Sequence, residues 1–412
     1  MTEIEAAHPL TALEDGRRLR VLVLSWNYPT PAAPQRGLWV ERMCEAASAE
    51  ADVCVIVPTP WVPRLVPALS RFRLVPAREQ RGAVHIAFPR VPGSIEYLTH
   101  ANDARLALPF VRAAARRMHR DRPFDLIHAH FIYPDGAVAS RIGRDLGVPV
   151  MTSEHSFWTP WLENNPSVRR QVKAALPGVD LVAPVSTFLK DALAAYAGSQ
   201  IKAMTVLPNV VDDATFHPDG GPRHPDELLF VGLIRRFKRV DVLLRALAEV
   251  RKHRPAIRLR ILSAKALSAY ATDRREMNAL IDELDLRSVV TIVEGANPPA
   301  VAEAMRRCTL VVVSSGKGRE TFCSVAAEAL ACGTPLVTTR CGGPEEFVGP
   351  EDGVIVEPDD PAALATGILV ALERRHEFRE AEISARITAR FGRAAWCRQA
   401  MTIYQSLVTA HG

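Results

Sequence analysis

Little folding freedom is left to a chain whose apolar residues come in short runs, each followed by an amphipathic stretch, from one end to the other. Runs of strand length occur at Leu19–Leu24, Val53–Val57, Val84–Phe88, Phe124–His128, Val148–Thr152, Leu181–Val185 and Met204–Leu207. Between them a 3.6-residue period predicts helices at Leu38–Ala49, Asp103–His119, Gly136–Leu146, Val168–Leu176 and Thr187–Tyr196. Continuously apolar strands joined by helices make a parallel sheet covered on both faces, so the expected class is α/β. The alternation breaks once, at Phe216–Asp226, where three prolines and two adjacent glycines predict a linker. It then resumes with strands expected at Leu228–Val231, Arg258–Leu262, Val289–Val293, Leu310–Val313, Leu336–Thr338 and Gly353–Val356. The expected organisation is a flexible tail over 1–17, a first domain over 18–213, a linker over 214–226, a second domain over 227–392 and a C-terminal helix over 393–412 carrying Trp396.

A chain of 412 residues with 48% hydrophobic content can bury two cores, which excludes a disordered protein. Its 51 basic and 46 acidic residues balance too closely to point to nucleic acid. The seven cysteines form no Cys-x-x-Cys pair, and no apolar stretch has the length of a signal core or membrane span, so the expectation is reduced thiols in the cytoplasm. The basic charge is unevenly spread. Arg64, Arg71, Arg73, Arg78, Arg81 and Arg90 face the single acid Glu79 between Trp61 and Arg90, interleaved with Leu65, Val66, Leu69, Phe72 and Leu74. A second run holds Arg112, Arg116, Arg117, Arg120 and Arg122. Two expectations compete here: a solvated loop with buried anchors, and a peripheral contact with the inner face of an anionic membrane through Trp61, Leu65 and Phe72.

The densest chemistry follows the strand Leu310–Val313. A loop of small residues carries Glu320, and a helix expected from Cys323 to Ala331 is stopped by Gly333 and Pro335. The free N–H groups and positive dipole end at the start of such a helix suit a diphosphate. Glu320 and Glu328 could flank a nucleotide sugar there, one at the sugar and one at the ribose hydroxyls. The turn Cys341-Gly-Gly-Pro-Glu-Glu346 comes next. After the first strand, Ser25–Tyr28 and Gly37 form no Gly-x-Gly-x-x-Gly, which argues against the common dinucleotide site, although Gly37 would let backbone approach a phosphate or sugar.

The Glu-x7-Glu spacing on a small-residue helix, with the Gly-Gly-Pro-Glu turn, resembles the family 4 retaining glycosyltransferases of GT-B fold, and the resemblance extends over nearly the whole chain. It implies two Rossmann-like doubly wound domains facing across a cleft, with the last helix crossing back to the first domain. Phe230 to Asp241 resembles the segment that opens the family's donor domain: Gly232 and Lys238 match, while Leu233 stands where an arginine is usual. Arg235 or Arg236 is then expected to join Lys238 in stabilising the leaving diphosphate without metal. The implied donor-binding set is Gly37, Gly232, Arg235, Arg236, Phe322, Cys323, Ser324, Val325 and Glu328. His130 matches the active-site histidine, beside a structural His128, and joins Lys238 and Glu320 as the implied catalytic set. His155 and Glu154 are acceptor-side candidates, and Pro208–Asp212 matches a segment expected to shape the interdomain hinge.

The departures are Ser263-Ala264-Lys265 in place of Gly-x-Gly-Pro, and Phe322-Cys323 in place of Phe-Gly. Asp212-Asp213 and Asp359-Asp360 fit turns better than metal sites, so no catalytic metal or other cofactor is expected. Ser25–Pro29 and Pro34–Arg42, with Pro58–Arg64, are similar to the branch that includes teichuronic acid and exopolysaccharide glycosyltransferases. The implied activity moves a sugar from a nucleotide diphosphate sugar to a glycan, lipid-linked or small-molecule acceptor, with no nucleic-acid partner. A GT-B sugar-nucleotide epimerase and a non-catalytic sugar-nucleotide-binding protein are the alternatives.

Overall fold

The computed structural model describes residues 16–61, 67–92, 104–156, 164–263 and 271–411. Residues 1–15 of the expected tail, with Arg64, Leu65, Val66, Ala264 and Lys265, lie outside them. Two compact units emerge: Met1–Val210 with Ala394–Gly412, and Val211–Arg393.

In the first unit the strands are β1 (Arg20–Leu24), β2 (Asp52–Ile56), β3 (Thr59–Pro60), β4 (Arg78–Arg81), β5 (Val84–Ala87), β6 (Arg90–Val91), β7 (Leu126–His130), β8 (Val150–Glu154) and β9 (Leu181–Pro184). The main sheet runs β4-β5-β2-β1-β7-β8-β9, parallel except for the β4–β5 hairpin. Periodicity had not marked β4, because its sequence Arg-Glu-Gln-Arg is polar throughout and it sits at the sheet edge, where such side chains are tolerated. The expected strand Met204–Leu207 is reduced to a single bridge between Met204 and Val182. Its backbone runs beside β9, with Thr205 and Leu207 donating to the Val182 and Pro184 carbonyls at 3.2 and 3.1 Å. Pro184 has no N–H to donate back, so the ladder stops.

The last helix, Arg393–His411, belongs to the core of this unit. Trp396, Met401, Tyr404 and Leu407 are buried with β1, β2 and β7 residues, and Trp396 Nε1 donates to the Pro208 carbonyl at 2.8 Å. Among the described residues no helix is long and apolar enough to cross a membrane.

The second unit holds β10 (Glu227–Val231), β11 (Arg258–Ser263), β12 (Val290–Glu294), β13 (Leu310–Val313), β14 (Leu336–Thr339) and β15 (Gly353–Val356), all parallel in the order β12-β11-β10-β13-β14-β15. Strand order reverses between β10 and β13, and between β1 and β7 in the first unit. Ligands of open parallel sheets bind beyond the carboxyl ends of the strands at such reversals.

The stretch Phe216–Asp226, the expected linker, is held by its own charged residues. The Arg223 guanidinium donates to the carbonyls of Met305, Cys308 and Gly333 and to the Thr334 hydroxyl, while Asp219 pairs with Arg307 at 2.6 Å. Its prolines and glycines shape the path, and its charges fasten it to the second unit.

Candidate functional site

In the second unit both loops at the strand-order reversal carry the expected residues. After β10 the chain turns at Gly232, whose φ of 156° favours glycine, and passes through Arg235 to Lys238. After β13 come Ser314, Ser315 and, five residues on, Glu320. Lys238 Nζ lies 2.7 Å from Glu320 Oε1, the two side chains 17% and 10% exposed. Ser315 Oγ donates to the same carboxylate oxygen at 2.5 Å, and Ser314 Oγ holds the Lys238 carbonyl at 2.8 Å. Burial by itself lowers the pKa of the Lys238 ammonium, but the adjacent Glu320 carboxylate outweighs it and the pKa ends above the ordinary lysine value. Lys238 thus keeps its ammonium protonated, held against the Glu320 carboxylate.

Glu320 is held from behind by the glycine turn. Its N–H donates to the Cys341 carbonyl at 2.9 Å, and its carbonyl accepts from Gly343 N–H at 2.8 Å. A Cβ on Gly343 would come within 2.6 Å of Phe322 Cα, so only glycine lets the turn lie this close. The helix Ser324–Ala331 then starts, one residue later than expected, with Cys323 as its left-handed N-cap at φ 67°. Ser324, Val325 and Glu328 share its half-buried face; Ala326, Ala327, Ala329 and Leu330 are buried. The Phe322 ring is turned away into an aromatic cluster, 5.5 Å from Phe347 and 5.2 Å from Phe391 between centroids. The ring is thus committed to packing, and a donor contact at Phe322 would be made by its backbone. Arg235 is half-buried with its guanidinium 5.9 Å from the Phe237 ring, and Arg236 is exposed.

In the first unit His130 is the last residue of β7 and His155 follows β8 directly, at neighbouring carboxyl ends. His130 Nδ1 lies 3.0 Å from His155 Nε2, and His155 Nδ1 lies 3.0 Å from Asn209 Oδ1. The His128 ring stacks on His130 at 4.4 Å and is hydrogen-bonded to Tyr404 and Ser153 hydroxyls, both at 2.8 Å. Burial lowers all three pKa values, to about 3 for His128 and about 4 for His155, so the imidazoles are neutral.

Glu154, the other acceptor-side candidate, is committed to backbone N–H groups. It is 1% exposed, and its oxygens accept from the backbone N–H groups of Ile132, His155 and Ser156 at 3.0, 3.0 and 3.1 Å. It fixes the loops after β7 and β8, while desolvation raises its pKa to about 7. Gly37, at φ 68°, lies against its own chain: a Cβ there would sit 2.1 Å from the Asn27 carbonyl oxygen, which is why glycine is needed.

The model for "Glycosyltransferase Family 4" matches residues 40–215, and that for "Glycosyl transferases group 1" matches residues 213–387. A D-inositol 3-phosphate glycosyltransferase of Frankia alni is 30% identical over 311 residues, 70% of this chain and 75% of that protein. The chain belongs to glycosyltransferase family 4. A Thermobifida fusca relative of the same name is 31% identical, and there the match spans 61% of this chain and 63% of its length. Among solved structures, a sucrose-phosphate synthase from Thermosynechococcus elongatus superposes with TM-score 0.73 at 22% identity, covering 95% of this chain and all of that one. The Anabaena HepE protein in complex with UDP-glucose gives 0.68 at 18%, covering 94% and 100%. Both likenesses identify the fold of this family 4 glycosyltransferase as GT-B.

Sequence reasoning had passed over Ser315, which steadies Glu320, and had given Asn209, which ends the histidine series, only a place in the Pro208–Asp212 segment. A serine pair directly after an apolar strand was the available signal for the first. Nothing in the sequence brings Asn209 to a histidine 54 residues earlier.

Proposed function

We propose that this glycosyltransferase moves a sugar from a nucleotide diphosphate sugar to an acceptor hydroxyl with retention at the anomeric carbon. The observation that carries the reading is the Lys238–Glu320 pair at the strand-order reversal, beside the start of the Ser324–Ala331 helix. In this reading Lys238, Arg235 or Arg236 and the first N–H groups of that helix take up the charge of the leaving diphosphate. Glu320 holds Lys238 and meets the sugar, Glu328 takes ribose hydroxyls, and His130 hydrogen-bonds the donor sugar. The bond from the anomeric carbon to the diphosphate breaks as the acceptor oxygen bonds on the same face, and the acceptor proton passes to the leaving phosphate oxygen. These groups supply the needed positive charge, so we propose turnover without a divalent cation.

Uridine is the first base to test, since a GT-B neighbour holds UDP-glucose. A phosphorylated cyclitol is the first acceptor to test, since the relatives are D-inositol 3-phosphate glycosyltransferases. The protein should be warmed with UDP- and GDP-sugars, then assayed for transfer by mass spectrometry. Stabilisation by one donor, with sugar appearing on an acceptor and free nucleoside diphosphate released, is expected. Release of an epimerised sugar without acceptor would make it an epimerase, and binding without turnover across donors and acceptors a binding protein.

We also propose a cytoplasmic location with peripheral contact to an anionic bilayer. Trp61 and Leu74 are 58% and 74% exposed beside exposed Arg71 and Arg73, and Leu106 and Phe110 lie on the same helix as exposed Arg117 and Arg120. Phe72 is buried, and Arg81 and Arg90 are tied to Glu41 and to backbone carbonyls, so the contact rests on fewer residues than the sequence offered.

A further inference from the structure

The histidine series of the first unit has a direction. Asn209 presents its carbonyl oxygen to His155 Nδ1 at 3.0 Å, and a carbonyl oxygen only accepts, so His155 Nδ1 carries the proton. A neutral imidazole has one N–H, which leaves His155 Nε2 bare. Facing it at 3.0 Å, His130 Nδ1 must then be the donor, and His130 Nε2 is left as an acceptor. Among the described residues His130 Nε2 has no hydrogen-bond partner. His128 takes no part in setting this order. Its contacts, the Tyr404 and Ser153 hydroxyls, can each donate or accept.

We propose that Asn209 and His155 are positioning residues that hold His130 as its Nδ1–H tautomer, so that Nε2 meets the substrate as an acceptor for a sugar hydroxyl. The proposal rests on the reading of His130 as the sugar-facing histidine and adds the device that orients it. Burial supports it from a second direction: His155, with its pKa lowered to about 4, stays neutral at physiological pH and cannot donate from both nitrogens. The chemistry that follows is selective. A substrate that brings an O–H to His130 is matched, whereas one with fluorine or hydrogen at that carbon leaves the lone pair unpaired, as a buried acceptor without a donor.

The test is the tautomer itself, read by two-bond nitrogen–proton NMR on protein carrying 15N-histidine, with His130 assigned from the spectrum of His130→Asn. At pH 7.5, wild type and the conservative Asn209→Gln should show His130 protonated at Nδ1 and bare at Nε2. Asn209→Leu, which removes the acceptor, should show both tautomers. Its transfer rate should fall about tenfold while stabilisation by UDP is unchanged, because the nucleotide does not depend on the imidazole. His130 protonated at Nε2 in wild type, or an unaltered Nδ1–H signal in Asn209→Leu, overturns the relay. Should Asn209→Leu not fold, the wild-type spectrum decides. If the tautomers behave as expected but His130→Asn transfers sugar at the wild-type rate, the relay stands and the sugar contact fails. Absence of transfer in wild type with every donor would instead refute the proposed function and leave the tautomer result intact.

Discussion

A lysine and a glutamate only 17% and 10% exposed form a costly pair, because each ion gives up much of its hydration. Lys238→Ala should lower turnover by about two orders of magnitude, by removing charge from the leaving diphosphate, and steady-state kinetics would read this directly. Unchanged kcat would mean that the pair is structural only. The buried histidines bear on stability as well. Their folded pKa values lie below the unfolded 6.5, so the stability they contribute is complete above that pH and is lost as pH falls towards about 4 for His155 and about 3 for His128. Glu154 acts in the opposite sense: raised from 4.5 to about 7, it contributes stability that is present below 4.5 and lost as pH rises through about 7. Glu154→Gln should therefore lose stability with acid more steeply than wild type between pH 6.5 and 4.5, by up to about 1.4 kcal/mol per pH unit. Urea unfolding across that range measures it, and parallel curves would contradict the assignment.

Among the elements, the glycine turn after β14 has the least tolerance. Gly343→Ala would push a methyl to 2.6 Å from the Thr321 carbonyl oxygen and Phe322 Cα, costing about 1–3 kcal/mol and displacing the Glu320 loop. Gly198→Ala, with nothing within 4 Å, is the control. We expect melting temperature and kcat to fall together in the first variant and neither in the second. The exposed Trp61–Leu74 segment makes a different prediction. The protein should float with anionic but not neutral liposomes, less so at high salt, and Arg71→Glu with Arg73→Glu should weaken it. Failure to bind anionic liposomes at low salt would favour a water-soluble acceptor.

For the whole molecule we predict that EDTA leaves transfer unaltered; loss of activity restored by magnesium or manganese would show that a cation supplies what Lys238 was assigned. Much of this architecture was legible in advance. Continuous apolar runs such as Leu310–Val313 alternating with helices are buried on both faces in a parallel sheet, and each strand-to-helix repeat fixes its own local geometry, so period and spacing sufficed for the α/β class and for the Ser324–Ala331 helix. Strand ends were less legible: β7 and β8 end two residues later than the apolar runs, at His130 and Glu154, because hydrogen bonding to a neighbouring strand continues past the last hydrophobic residue. The sequence also could not say which candidate side chains face a ligand. Phe322, Glu154 and Gly37 look alike on paper as site residues, yet one packs among phenylalanines, one holds backbone N–H groups and one yields space to Asn27. Partnerships of this kind depend on residues far apart in the chain, as with Ser153, His128 and Tyr404, and on where burial removes water. Local pattern decides which elements form, and only packing decides which polar groups are already satisfied and which are left to meet a substrate.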